Sequence, residues 1–250
     1  VVDRLLGGKK ADMTFTDPPY LMDFQGAMDG KGNKSKHGAK IANDDLSLGS
    51  ADGRAFMDGF CRQVRDWTKG AWYMTFYRLG IDHLFRSFEA GGLKWRNMVI
   101  WKKDHLNLSN SDYKALYEPM AVGWSDDWTP IFYGWEDLHE FHGRKGEVDV
   151  WDLPMPSVWP ISRTKKNDLH PTMKPVALVE RCVKNSSKPG QTVLDLFAGS
   201  GTTLIACERT NRLARLVELE PKYCDVIVKR WEEFTGKKAK LLKHDGKKAA

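Results

Sequence analysis

Asp17-Pro18-Pro19-Tyr20, at the end of the run Met13-Thr14-Phe15-Thr16, holds residue types that could do chemistry. Prolines lack an N–H and cannot continue a central strand, and a residue preceding proline is kept out of the helical region. The strand must therefore stop in a stiff turn. The Asp17 carboxylate and the Pro18 carbonyl are then acceptors with no proline donor between them, and Tyr20 adds a flat ring. A rigid acceptor cluster beside an aromatic face suits a planar group bearing an –NH2. The same residues also make an ordinary strand-ending turn, which Asp and Pro favour, so this stretch alone leaves both readings open.

A second stretch has the makings of a cofactor cradle. Residues 191–197 read as a buried strand that runs into Ala198-Gly199-Ser200-Gly201-Thr202-Thr203 and then a helix over 204–208. Glycines permit close backbone approach, and the free N–H groups and dipole of a helix start favour anionic groups. The next strand, 213–219, ends near Glu218 and Glu220. An acidic residue at that tip is placed to hold ribose hydroxyls. Glu218 is the better ligand, because Glu220 starts a helix before Pro221. No Gly-Lys-Ser/Thr follows, so this is not a phosphate-binding P-loop. Leu204 stands where a dinucleotide fingerprint needs its third glycine, which disfavours a nicotinamide enzyme.

The elements that must position these stretches read as alternating strand and helix. Strands are expected at 11–16, 71–77 and 95–102, with helices at 52–68 and 84–90 between them, a parallel α/β pattern. Residues 117–124 return as a hairpin strand. Pro175 opens a helix to about Ser186, and a helix over 222–234 carries Tyr223, Val226, Ile227 and Trp231 as its core stripe before Gly236. Between these lie two irregular segments. Residues 21–45 combine four glycines with Lys31, Lys34, Lys36 and Lys40. This is either a solvated loop or a lid over a phosphate backbone, and its place directly after the acceptor cluster favours the lid. Residues 125–168 interleave tryptophans with basic residues including Arg163 and Lys165, as an inserted subdomain with a small aromatic core and nucleic-acid-facing edges would.

The chain of 250 residues is 41% hydrophobic, which excludes a disordered chain, and its formal charge of +6 suits a polyanionic partner. The cysteines, Cys61, Cys182, Cys207 and Cys224, fit no zinc spacing and read as buried free thiols in a reducing compartment. His139-Glu140-Phe141-His142 lacks the spacing of a zinc helix, so no metal is expected. No apolar run approaches ~18 residues, which with the absent signal peptide predicts a cytoplasmic protein without a membrane span; the sequence leaves monomer and homodimer both open. The start at Val1-Val2-Asp3 rather than Met suggests a preceding segment. Residues 237–250 read as a basic, solvated tail.

Taken together, three motifs resemble those of the S-adenosylmethionine-dependent DNA amino-methyltransferases. Phe197-Ala198-Gly199-Ser200-Gly201-Thr202 resembles their cofactor loop, Asp17-Pro18-Pro19-Tyr20 their catalytic tetrapeptide, and His170-Pro171-Thr172-Met173-Lys174-Pro175 the segment before their cofactor strand. The catalytic motif comes first, as in the permuted beta group. The stretch 230–236 is similar to methylases of phages and prophages, some fused to a ParB-like domain. The resemblance implies a circularly permuted, Rossmann-like α/β methyltransferase fold, with a mostly parallel seven-stranded sheet and one antiparallel hairpin strand. Its catalytic half would span 1–124, its inserted target-recognition region 125–168 and its cofactor half 169–236. Asp17 and the Pro18 carbonyl would accept the two protons of an exocyclic amine, and Tyr20 would stack on a base flipped out of DNA. Asp195, Phe197, Gly199, Ser200, Gly201 and Thr202 would line the methionine end of S-adenosylmethionine, Glu218 would hold its ribose, Thr172 and Lys174 would close the pocket, and Asp3 would approach the adenine ring. Asp in the tetrapeptide is typical of the adenine-N6 branch, Ser more often of cytosine-N4 enzymes. The alternatives are a cytosine-N4 enzyme; a protein-glutamine or RNA amine methyltransferase, which usually places the cofactor motif first as this chain does not; and a catalytically silent DNA-binding module, against which the intact Asp17, Tyr20 and glycine loop argue.

Overall fold

The computed structural model describes residues 1–21, 46–76, 80–102, 117–124, 158–162 and 173–242. Its elements are α1 (Val2–Leu6), β1 (Met13–Thr16), α2 (Ala51–Trp67), β2 (Ala71–Thr75), α3 (Ile81–Gly91), β3 (Trp95–Lys102), β4 (Tyr117–Trp124), β5 (Val158–Pro160), α4 (Val176–Ser186), β6 (Thr192–Asp195), α5 (Thr202–Thr210), β7 (Leu213–Leu216) and α6 (Pro221–Thr235).

The strands form one sheet in the order β5-β3-β4-β2-β1-β6-β7. Strands β1, β2, β6 and β7 pair parallel, as β3 does with β5, and β4 runs antiparallel between β2 and β3. The expected mostly parallel, seven-stranded sheet with a hairpin strand is therefore present. Strand β5 was not foreseen: its three residues lie inside the aromatic segment read as an insertion, yet they extend the sheet edge beside β3. The Trp101 indole N–H donates to the Ile161 carbonyl at 2.8 Å and fastens that edge.

Side chains alternate across the pleat, so each strand feeds two cores. On one face Met13, Phe15, Tyr73 and Val193 pack under Leu178, Val179, Cys182 and Val183 of α4 and Ala206 and Cys207 of α5. On the other, Trp72, Met74 and Phe76 meet Met57, Phe60, Cys61 and Val64 of α2 and Leu84 and Phe88 of α3. All four residues of β1 are buried, as a central strand covered on both faces requires. Each fully buried Leu, Met or Phe contributes roughly 1.5–3 kcal/mol.

Three readings are corrected. Pro175 is the N-cap of α4, not its first helical residue. No residue of α6 is fully buried: Tyr223, Val226, Ile227 and Trp231 are half-covered, because α6 packs mainly along α5 and the cofactor loop among the described residues. Cys224, on that helix, is exposed, while Cys61, Cys182 and Cys207 are buried. Burial pushes those three thiols up, so they stay protonated and inert. Among the described residues no helix is long and apolar enough to cross a membrane.

Candidate active site

Strands β1 and β6 are parallel neighbours, with Met13 opposite Val193 and Thr14 opposite Leu194. Carrying that register forward sets Asp17 level with Phe197. The acceptor turn and the glycine loop thus leave the same sheet edge side by side, where an open parallel sheet places its ligands.

After β1 the chain turns as its prolines dictate. Pro18 and Pro19 are buried, whereas Asp17 and Tyr20 remain partly open. Leu21 sits at φ 54, a conformation a branched side chain adopts only under constraint. Its side chain is buried against the α2–α3 core, and its carbonyl accepts from the Leu48 N–H at 3.1 Å. These contacts lie directly beside Tyr20 and anchor the end of the turn.

The Asp17 carboxylate is held by three donors. Oδ1 accepts from the Tyr20 hydroxyl at 3.1 Å and from the Thr75 hydroxyl at the end of β2. Oδ2 accepts from the Lys174 ammonium at 2.6 Å. That ammonium also lies 3.3 Å from the Tyr20 hydroxyl. The Tyr20 ring tilts against Phe76, with centroids 5.5 Å apart.

The glycine loop is braced from three sides. Gly199 and Gly201 take φ 52 and 78, and a Cβ on Gly201 would sit 3.1 Å from Ile227 of α6. Glycine is what lets the loop turn into α5 while α6 lies against it. Glu218 accepts from the Gly199 N–H at 2.7 Å with one oxygen and from the Glu220 N–H at 2.9 Å with the other. The Arg230 guanidinium donates to the Ser200 carbonyl at 3.0 Å, its hydroxyl at 3.2 Å and the Thr202 hydroxyl at 3.3 Å. Asp195 is wholly buried and accepts from the Phe197 N–H at 3.1 Å and the Thr203 hydroxyl at 2.6 Å. It shapes the loop from beneath. Phe197 packs edge-on to Phe60 at 5.3 Å.

Burial pushes the Asp195 carboxyl up to about 7; Thr203 and Phe197 oppose the rise, and the carboxylates of Asp17 and Glu218 add to it. An unfolded Asp titrates near 3.9, so between roughly pH 4 and 7 the folded chain binds the extra proton. This contribution to stability is complete below about pH 4 and is lost as pH rises through about 7. Asp195→Asn is neutral throughout and should flatten that part of the profile. Thermal denaturation at pH 5 and pH 8 checks this: the drop in Tm between them should be smaller in the variant than in the wild type.

The structure thus brings Asp17, Pro18, Pro19, Tyr20, Lys174, Asp195, Phe197, Gly199, Ser200, Gly201, Thr202 and Glu218 to one region. Lys174 was expected beside the cofactor, but its ammonium is on Asp17. Asp3 accepts from the Trp67 indole N–H at 3.1 Å, at the end of α2. Thr172, Lys31, Lys34, Lys36, Lys40, Arg163 and Lys165 lie outside the described residues. Thr75 and Arg230 were missed: a threonine in an apolar strand and an arginine on a helix carry no local signature, and only the fold shows what they touch.

The residues present fit S-adenosylmethionine. The first turn of α5 has no side-chain cap and can receive a carboxylate. The Glu218 carboxylate uses two of about four acceptor positions on backbone N–H groups, which leaves room for a ribose diol.

Comparison with known proteins agrees. M2.MboI, a type II methyltransferase of Moraxella bovis, is 25% identical over 238 residues, covering 90% of this chain and 81% of the relative. M2.LlaDCHI of Lactococcus lactis subsp. cremoris, also a type II methyltransferase, is 27% identical over 234 residues, 88% of this chain and 81% of the relative. Two solved structures share the fold. The M1.HpyAVI–SAM complex superimposes with a TM-score of 0.58 at 20% identity, covering 92% of this chain and 93% of the other. The cytosine-N4-specific PvuII DNA methyltransferase does so at 0.60 and 17% identity, over 92% and 84%. The profile of the DNA methylase family matches residues 11–229, and with the acceptor turn and the glycine loop meeting at one sheet edge, this chain belongs to the N6/N4 DNA methylases.

Proposed function

We propose that this chain transfers the methyl group of S-adenosylmethionine to the exocyclic N6 amine of adenine in DNA. The observation that carries the reading is the Asp17 carboxylate on its rigid double-proline turn, at the same sheet edge as the glycine loop. Asp17 and the Pro18 carbonyl accept hydrogen bonds from the two amine N–H groups; the methyl–sulfur bond breaks as the N–methyl bond forms, and the methylated nitrogen then gives up one of its protons. An aromatic amine is a poor nucleophile because its lone pair is delocalised into the ring. Two acceptors out of the ring plane draw the nitrogen toward a tetrahedral shape and localise that pair. Tyr20 stacks on the base and fixes its plane. The cofactor supplies an electrophilic methyl on a sulfonium, and the protein contributes orientation, for which effective molarities of ~10⁵ M or more are known in aligned systems. Transfer is direct, in line, with no covalent enzyme intermediate.

A base inside a duplex is out of reach, so the target is flipped out at a cost of a few kcal/mol. Lys31, Lys34, Lys36, Lys40, Arg163 and Lys165 are our proposed phosphate contacts, which offset that cost and make binding salt-dependent. Asp at the head of the tetrapeptide supports adenine. Cytosine N4 is the second reading, favoured by the likeness in fold to the cytosine-N4-specific PvuII enzyme.

Incubating the protein with DNA and methyl-labelled S-adenosylmethionine, then separating the nucleosides, tests this. Label in N6-methyl-2′-deoxyadenosine is expected. Label in N4-methyl-2′-deoxycytidine would support the second reading, and DNA without label would overturn both.

A further inference from the structure

Lys174 joins the acceptor turn to the cofactor loop. Its side chain is 9% exposed, its ammonium is 2.6 Å from Asp17 Oδ2, and its carbonyl accepts from the Thr202 hydroxyl at 3.2 Å. Thr202 lies in the first turn of α5 and is itself held by Arg230. Lys174 precedes Pro175, so its backbone is confined to extended conformations. One residue therefore spans the two chemical stretches, with its main chain on the cofactor loop and its side chain on the acceptor carboxylate.

We propose that Lys174, together with Thr75, is a positioning residue that orients the Asp17 carboxylate toward the target amine; this rests on the methyl-transfer reading above. A carboxylate offers about four acceptor positions. Tyr20 and Thr75 take those of Oδ1, and Lys174 takes one of Oδ2. Among the described residues no further donor reaches Asp17, so one position on Oδ2 is left for an amine N–H. The three donors come from three places: the turn itself, the end of β2, and the segment before α4. Together they prevent the carboxylate from rotating about its Cβ–Cγ bond, and the remaining acceptor position points one way.

The effect of the lysine is one of orientation. An amine attacking a methyl group gains positive charge, and a neighbouring ammonium opposes that charge. A purely electrostatic role would therefore slow the reaction. A cation at this place is useful because it fixes the acceptor, and because Thr202 and Arg230 tie its position to the loop that receives the methyl donor.

The test compares Lys174→Met, Lys174→Arg and Thr75→Val in the full chain. Steady-state methylation of DNA gives kcat and KM, and isothermal titration gives the Kd of S-adenosylmethionine. Lys174→Met should lower kcat by about 10- to 100-fold, the size expected for loss of a hydrogen bond to a charged group, and leave the cofactor Kd within about threefold. Lys174→Arg, which keeps donor and charge, should recover part of the loss. Thr75→Val, nearly isosteric at a buried site, should lower kcat in the same selective way by a smaller factor, and it decides the matter if Lys174→Met does not fold. An unchanged kcat in Lys174→Met or Thr75→Val overturns the inference, as does a cofactor Kd that rises while kcat holds. A wild-type chain that methylates while both variants match it leaves the proposed function standing and removes only this inference. A wild-type chain that transfers no methyl overturns both.

Discussion

Asp17→Ala is expected to lower the rate of methyl transfer by about 10³-fold or more while the Kd of S-adenosylmethionine stays within about threefold, because the carboxylate acts on the amine in the transition state. Steady-state methylation and isothermal titration measure the two effects separately. The substitution has a second consequence. It leaves the Lys174 ammonium, 9% exposed, without its carboxylate. Breaking a buried pair by removing one partner costs about 3–5 kcal/mol, less here because Asp17 is partly open. A Tm lower by several degrees should accompany the loss of activity. Combining Asp17→Ala with Lys174→Met removes the buried cation that has lost its carboxylate and should restore much of the Tm with no return of turnover. That separation distinguishes a chemical role for Asp17 from a structural one: a purely structural carboxylate would give back activity with stability. Turnover retained in Asp17→Ala would contradict the proposed function.

Glu218→Ala should act on the opposite side of the site. Its carboxylate holds the Gly199 and Glu220 N–H groups at 2.7 and 2.9 Å, and so fixes the glycine loop as well as facing the expected ribose. Losing both contributions should weaken cofactor binding by about 100-fold, from charge-assisted hydrogen bonds of roughly 1.5–3 kcal/mol each, partly offset by water entering the gap. At saturating cofactor, kcat should remain within about threefold of wild type, since the acceptor turn is untouched. Titration of the variant with S-adenosylmethionine checks the first expectation and saturation kinetics the second. An unchanged Kd would remove Glu218 from the cofactor site.

The two variants divide the site as the chain divides it. The acceptor turn and the loop were readable because each obeys a local rule. Two prolines end a strand wherever they occur, and glycines between a strand and a helix make a tight, open loop. The alternation of strands and helices came from periodicity, and Tyr117–Trp124 pairs antiparallel with β3 as the expected hairpin, and also with β2, which was not foreseen. Periodicity was a poorer guide to α6. It shows that a helix has an apolar stripe but not how much of that stripe a neighbour covers, and Tyr223, Val226, Ile227 and Trp231 are only half-covered. Likewise three residues at Val158–Pro160 are too few to show a strand signature; pairing with β3 makes them one.

Residue chemistry and short-range sterics were enough to name an acceptor turn, a cofactor cradle and the family they suggest. Partnerships across the chain needed the folded molecule. Thr75 meets Asp17 across 58 positions and Lys174 meets it across 157. Such contacts follow from which strands lie side by side, and strand order is set by the packing of two cores over the whole sheet rather than by any local pattern. That is why Lys174 could be recognised as part of a motif from its neighbours, while the atom it holds was decided only when β1, β2 and the start of α4 came together at one edge.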